Sequence, residues 1–174
     1  MRKARSSATR SGTDVPALLL RLSLGPMLVA HGYNKVLGKG GIEGTTRWFD
    51  SLGLRPPNVH ARLAAATEIG AGSLMAVGAL SPLPAAATVG LMATAARTDH
   101  RGKGFFVFKG GWEYTAVIGA AATALAALGP GRFSVDALLG RQRSGITWAA
   151  AAAAFGLANS TLLVAMSYRP APKT

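Results

Sequence analysis

The sequence predicts an all-α protein, built as a polytopic bundle of transmembrane helices. Its 174 residues are 49% hydrophobic and 15% charged, and the mean hydropathy is +0.29. These values are too apolar for an ordinary soluble domain. The apolar residues are also gathered into separate runs, and the last run, 146–166, contains no charge. Such runs are typical of helices that cross the ~30 Å hydrocarbon core of a bilayer.

Composition excludes several functions. The chain has no cysteine, so it carries no disulfide, thiolate metal site or dithiol relay of its own. No metal, flavin or dinucleotide motif is present in the sequence, and no metal site is predicted. The net charge is +12, but the 19 Lys and Arg residues are scattered between apolar runs. We therefore expect anionic lipid headgroups, rather than nucleic acid, to be the counterpart of this charge.

Five apolar runs define the predicted helices. Residues 1–14 are basic, small and polar, and are predicted to form a disordered tail at the membrane surface. The runs that follow are 16–37, 63–80, 83–96, 112–128 and 146–166. The polar segment 38–62 is expected to hold either a short helix at the headgroup level, with Trp48 on its apolar side, or a loop over the helix ends. The sequence leaves both alternatives open.

The first apolar run carries a stripe of basic side chains. Arg21, His31 and Lys35 fall within about an 80° sector of one helical face. A charged side chain in hydrocarbon costs ~2.5 kcal/mol or more unless it faces protein or water. These three side chains are therefore expected to point at partners on other helices.

The ionisable residues of several helices are expected to meet in one leaflet if the spans alternate in direction. The candidate intramembrane cluster, a ligand-binding site by hypothesis, consists of His31, Lys35, Glu68, His100 and Glu113. Bases facing carboxylates make intramembrane charge tolerable, so we predict that Glu68 pairs with Lys35 or His31. The alternative for Lys35 is to extend toward the membrane surface. The alternative for Glu113 is to face water at a helix start.

A second pair of charges is predicted at the opposite end of the bundle. The first helix is expected to start, and the fourth to end, on that side of the membrane. Arg21 should then lie near the level of Asp136. The sequence therefore predicts a structural ion pair between these two residues.

Seven short motifs give the chain a family resemblance. They are RLSLG at 21–25, HGYNK at 31–35, GL at 53–54, EIGAG at 68–72, HRGKGFF at 100–106, GGWEY at 110–114 and GPGRFSVD at 129–136. Their order and spacing resemble the DoxX family of small bacterial membrane proteins. The resemblance implies a four-helix DoxX-like core, which we place at residues 15–140. Residues 141–174 would add a fifth C-terminal transmembrane helix and a short tail.

The resemblance also implies a location and a field of function. A DoxX-like protein is expected to be a multi-pass protein of the bacterial plasma membrane. Related proteins are associated with quinone-linked sulfur oxidation and with membrane oxidoreductase assemblies. Other membrane or membrane-associated proteins are therefore expected as partners, besides the lipid itself. This is transfer by analogy, since a fold does not dictate a function.

Three functional hypotheses follow. The leading one is a membrane subunit or partner of a redox system, in which His31, Lys35, Glu68 and Glu113 hold a quinone as cofactor. The second is a scaffold or assembly protein, in which the same residues only fix the helix register. The third is a small transporter. Whether the chain is an enzyme stays open at this stage.

The orientation in the membrane also stays open. The positive-inside rule, applied to the loops, favours an N-terminus outside the cytoplasm. Several of the opposing charges belong to helix ends or to the candidate cluster, and for this reason we favour a cytoplasmic N-terminus.

Overall fold

The computed structural model describes the backbone of residues 2–170 and the side chains of residues 12–170. Over this range the protein contains seven α-helices and no strand, so the predicted all-α class is confirmed. The helices are α1 (Arg2–Leu37), α2 (Gly41–Leu52), α3 (Pro57–Val77), α4 (Leu83–Arg97), α5 (Glu113–Leu128), α6 (Val135–Leu138) and α7 (Ile146–Ser167). A single 3-10 turn, Val107–Lys109, precedes α5. The predicted tail lies largely outside the residues whose side chains are described.

Four of the helices form a bundle, and the fifth long helix packs outside it. Helix α1 packs on α3 and α5, and α4 completes the bundle by packing on α3 and α5. Helix α7 packs on α4 and α5, and α2 covers one end of α1 and α3. Side-chain contacts fix the directions: Arg21 reaches Met75, whereas Lys35 reaches Glu68, so α1 and α3 are antiparallel.

The limits of α1 and α3 both differ from the sequence prediction, and α1 begins at Arg2 rather than at residue 16. The predicted run for α3 was 63–80, but the helix begins at Pro57 and ends at Val77. Proline suits the first turn, because its fixed φ is helical and its missing N–H has no helical partner there. Gly78 then adopts a left-handed φ of 67° and closes the helix, a conformation that suits glycine. In the segment before α3, the helical alternative is the one observed, with Phe49 of α2 buried.

Glycines allow the closest helix contacts. A Cβ atom added to Gly72 would lie 2.7 Å from the carbonyl oxygen of Gly25 on α1. A Cβ added to Gly156 on α7 would lie 2.8 Å from the Cβ of Val89 and 2.9 Å from the backbone nitrogen of Gly90 on α4. Small residues at helix crossings let the backbones approach in this way.

We expect the neighbouring glycines of α3 to respond in opposite directions to alanine. Gly72→Ala should lower the free energy of unfolding by about 1 to 3 kcal/mol, because the new methyl group meets backbone atoms that cannot yield. Gly70→Ala is the matched control: a Cβ there meets nothing within 4 Å, so the change should stabilise the helix by about 0.5 to 1 kcal/mol. Thermal unfolding in mild detergent measures both. Equal effects would show that α1 and α3 do not cross at Gly72.

Both ends of α7 are attached to the bundle through backbone hydrogen bonds. At its start, Gly145 N donates to Ala127 O of α5 at 2.7 Å. After its end, an antiparallel bridge joins Tyr168 to Leu54, in the loop between α2 and α3. The end of α7 therefore lies beside the same loop that leads into α3.

Among the described residues, two helices are long and apolar enough to cross a membrane: Gly12–Leu37 of α1 and Ile146–Ser167, which is α7. Helix α5 is apolar but has 16 residues, and α4 has 15, which corresponds to about 22 Å. Many outward-facing side chains are large and apolar. Examples are Leu19, Leu63, Leu83, Val117, Phe155 and Leu162, each more than half exposed. The prediction of five spans stays a prediction.

Candidate functional site

A cavity of about 500 Å³ lies where α1, α3 and α4 converge, bounded also by α2, α5 and α7. Its volume is within the range of small-molecule sites, which are concave and mostly apolar with a few polar groups. The polar residues that line it are His31, Lys35, His60, Thr67, Glu68, Thr94, Thr98, Asp99, His100, Tyr114, Thr115 and Asn159. The remaining lining residues are apolar or glycine. The cavity therefore brings together four of the five residues of the predicted cluster. They are His31, Lys35 and Glu68 on the helices and His100 in the loop after α4.

An ion pair crosses the cavity between α1 and α3. Lys35 Nζ donates to Glu68 Oε1 at 2.7 Å and lies 2.7 Å from Oε2. Glu68 is only 5% exposed, and its Oε2 atom is buried with no hydrogen bond of its own among the described residues. The predicted pairing of Glu68 with Lys35 is thus present. The Lys35 ammonium lies 2.7 Å from both carboxylate oxygens and is therefore the charge partner of both.

A histidine and a tyrosine form a second polar pair in the cavity. The His31 Nε2 atom is 3.5 Å from the Tyr114 hydroxyl, which itself donates to Met27 Sδ at 3.1 Å. The two rings are 6.2 Å apart between centroids. Sequence analysis did not select Tyr114, although it ends the GGWEY motif beside the selected Glu113.

Two more histidines line the cavity near the loops. A carbonyl oxygen can only accept, so His100 Nδ1 donates to Gly110 O at 2.6 Å, and Nε2 is left 3.9 Å from an Asp99 oxygen. His60, which sequence analysis also missed, donates from Nε2 to Arg55 O at 3.1 Å. In both residues one ring nitrogen is fixed by the backbone. The other nitrogen is left for a ligand or a proton.

Glu113 does not line the cavity. Its carboxylate accepts a hydrogen bond from Val107 N at 3.0 Å and so stabilises the 3-10 turn before α5. The reason is the helical register: adjacent residues on a helix point about 100° apart, and Tyr114 takes the inward direction. The structure therefore separates Glu113 from the other four predicted residues.

The predicted ion pair between Arg21 and Asp136 is absent from the ion pairs of the described residues. Arg21 instead donates to four carbonyl oxygens. The acceptors are Met75 O, Ala76 O, Pro130 O and Phe133 O, at 2.7 to 3.2 Å. Two of them belong to the last turn of α3, and of these Met75 O also accepts from Gly78 N at 3.1 Å. Asp136 accepts from the backbone nitrogens of Leu80 and Ser81, at 3.0 and 2.7 Å. Backbone groups, rather than each other, are the partners of these two charges.

The arrangement provides donors, an acceptor and proton-binding atoms around one apolar space. The Lys35 ammonium can donate to an oxygen of a ligand. Glu68 and the free nitrogen of a cavity histidine can take up or release a proton. Within the residues described, no group of three or more His, Asp or Glu side chains could hold a metal ion.

Comparison with known proteins gives one match. Residues 17–101 match the family model of DoxX. The matched segment contains His31, Lys35, Glu68 and His100, whereas Tyr114 and the whole of α7 lie beyond it. No curated protein and no solved structure matches the chain.

Proposed function

The chain belongs to the DoxX family of membrane proteins, and from this premise we propose that it binds a quinone headgroup in the cavity around Lys35 and Glu68. It would do so as a multi-pass protein of the bacterial plasma membrane, serving as a subunit or partner of a redox system. The observation that carries the proposal is a buried ion pair inside an otherwise apolar cavity of about 500 Å³.

The multi-pass location is supported by the surface of the bundle. Helices α1, α3, α4, α5 and α7 are the five proposed spans, and successive ones run in opposite directions. Their outward positions carry large apolar side chains, such as Leu19, Val117 and Leu162. A soluble monomer rarely exposes so many of these side chains together. Helix α4 is short for a membrane span. Because it packs between α3, α5 and α7, these helices can shield the part of the bilayer thickness that α4 does not cover.

A quinone carries two carbonyl oxygens on a flat apolar ring, and the cavity offers groups that suit both features. The Lys35 ammonium is placed to donate to one carbonyl oxygen and polarise it. Leu28, Leu91 and Met92 line the apolar part of the cavity, where the ring would lie. Glu68 holds Lys35 in position, and its carboxylate lies beside the ammonium that would donate, so it can pass a proton to or from the bound oxygen.

The electrons must come from another protein. A quinone supplies two-electron redox chemistry when bound. This chain has no cysteine that could supply a thiol for the reaction. Its residues would therefore bind the headgroup, orient it and move protons, while a partner protein delivers the electrons. This division fits a subunit or partner better than a complete enzyme.

We expect purified protein to retain bound quinone, and Glu68→Gln to reduce its occupancy. The change removes the charge that holds Lys35 in place, and loss of a charge-assisted hydrogen bond corresponds to about tenfold in affinity. Quinone is measured by solvent extraction and chromatography. Glu43→Gln is the matched control, because Glu43 lies on α2, is exposed and does not line the cavity.

The same experiment separates the other hypotheses. A scaffold protein should copurify with partner proteins and without quinone, and Glu68→Gln should then affect only stability. A transporter should show ion or solute flux in vesicles. Wild-type protein without quinone, together with unchanged respiratory rates in the Glu68→Gln strain, would contradict the proposal.

A further inference from the structure

The cavity continues past its polar end along one face of α4. Most α4 residues that line it recur every three or four positions, as expected for one helical face. They are Leu83, Ala86, Ala87, Gly90, Leu91, Thr94 and Ala95, and Met92 also lines the cavity. From Leu83 to Ala95 this face is about 18 Å long at 1.5 Å per residue. A single quinone ring fills only part of that length.

The polarity changes along this length. Near Lys35 and Glu68 the α4 face carries Thr94, whereas toward Leu83 the lining is apolar. We call the part lined by Leu83, Ala87 and Gly90 the apolar groove. One end of the space thus suits a polar group and the other suits hydrocarbon.

Helices α3 and α7 both border the cavity. Leu63 of α3 and Phe155 of α7 line it and are 53% and 65% exposed. Close packing at Gly90 and Gly156 fixes α7 against α4 and so sets Phe155 at the edge. If α4 is a membrane span, the gap between these two edges faces lipid.

We propose that the cavity takes a quinone with a long apolar tail, which enters from the lipid between α3 and α7. The headgroup reaches the Lys35–Glu68 pair and the tail lies in the apolar groove. This inference rests on the proposed function, and it names the ligand class and the route. The ligand class follows from complementarity. The Lys35–Glu68 pair at one end and the apolar groove at the other match a molecule with one polar end and one apolar end.

Helix α7 gains a role from this inference. The family pattern inferred from the sequence has four helices, and α7 is the addition. Phe155, Asn159 and Leu163 of α7 line the cavity. The added helix is therefore a wall of the ligand site, in addition to being a packing partner of α4.

The test compares a long-tailed quinone with a quinone that has no tail, both titrated into purified protein freed of its bound quinone. In Ala87→Trp, the indole fills the apolar groove and leaves Lys35 and Glu68 untouched. Each methylene kept from burial costs about fourfold in affinity. We therefore expect affinity for the long-tailed quinone to fall by about tenfold or more, while that for the tailless quinone stays within about twofold.

Two further variants complete the design. Ala116→Trp is the matched control, because Ala116 is exposed on α5 and does not line the cavity. Phe155→Trp adds bulk from the opposite edge at an exposed position, and it replaces Ala87→Trp if that variant fails to fold. It should likewise weaken only the long-tailed quinone.

The outcomes distinguish the two proposals. If both quinones bind the wild-type protein and the groove variants weaken both equally or neither, the groove does not hold the tail. If neither quinone binds the wild-type protein, the proposed function fails, and this inference fails with it. Selective loss of the long-tailed quinone supports both.

Discussion

Removing either partner of the Lys35–Glu68 pair should lower the free energy of unfolding by about 3 kcal/mol or more. Lys35→Ala leaves a carboxylate that is 5% exposed without its cation, and Glu68→Ala leaves the ammonium without its anion. A buried charge that loses its partner retains its desolvation cost, so each single change is expected to be severe. Unfolding in mild detergent, followed by circular dichroism, measures the loss.

The double variant supplies the decisive comparison. Lys35→Ala with Glu68→Ala removes both charges, so it should lose much less stability than the sum of the two single changes. The control is the pair of Arg55 and Asp50, whose side chains are about half exposed. Its removal should cost less than about 1 kcal/mol, because water screens surface pairs. Strict additivity at Lys35 and Glu68 would mean that the two charges are not coupled.

Replacement of Arg21 by methionine should destabilise the protein by several kcal/mol. Methionine keeps much of the length of the side chain but has no donor, so four carbonyl oxygens at this end lose the hydrogen bond from Arg21, and Met75 O keeps the one from Gly78 N. Each unsatisfied buried group costs about 1 to 3 kcal/mol, although water can reach some of them after the change. Lysine should rescue only part of the loss, because its ammonium cannot reproduce the fork of the guanidinium.

Arg132 provides the control for this prediction. Its side chain is 67% exposed, and it pairs with Asp14 at 3.6 Å near the same end of the bundle. Arg132→Met should therefore change stability by less than about 1 kcal/mol. If Arg21→Met were equally mild, the carbonyl contacts would not contribute to stability, and Arg21 would have to be explained by another role.

Sequence reasoning identified the helices and the central pair for a definite physical reason. Charges inside apolar runs are costly, so Lys35 and Glu68 had to find each other or water. The same reasoning failed at Glu113, because the start of a helix does not reveal which residue turns inward. Tyr114, its neighbour, took that place. These two adjacent residues point about 100° apart on the helix, so only one of them can face the cavity.

The error at Arg21 has a different origin. Opposite charges at one level suggested a pair with Asp136, but the sequence does not show backbone groups as partners. The carbonyls in the last turn of α3 have room for further hydrogen bonds, and Met75 O and Ala76 O accept from the guanidinium. The contribution of α7 to the cavity was also hidden, since its alanine-rich run lacks a polar face that would predict a position in the bundle.

Helix α7 is attached to the bundle at both ends, so the side chains that it presents to the cavity can change while the helix keeps its position. Gly145 N bonds to Ala127 O before the helix, and Tyr168 bridges to Leu54 after it. These bonds use the backbone alone, so they do not depend on which side chains the helix carries between them. Substitutions at Phe155 or Leu163 can thus reshape the cavity while the helix keeps its position and Lys35 and Glu68 stay unaltered.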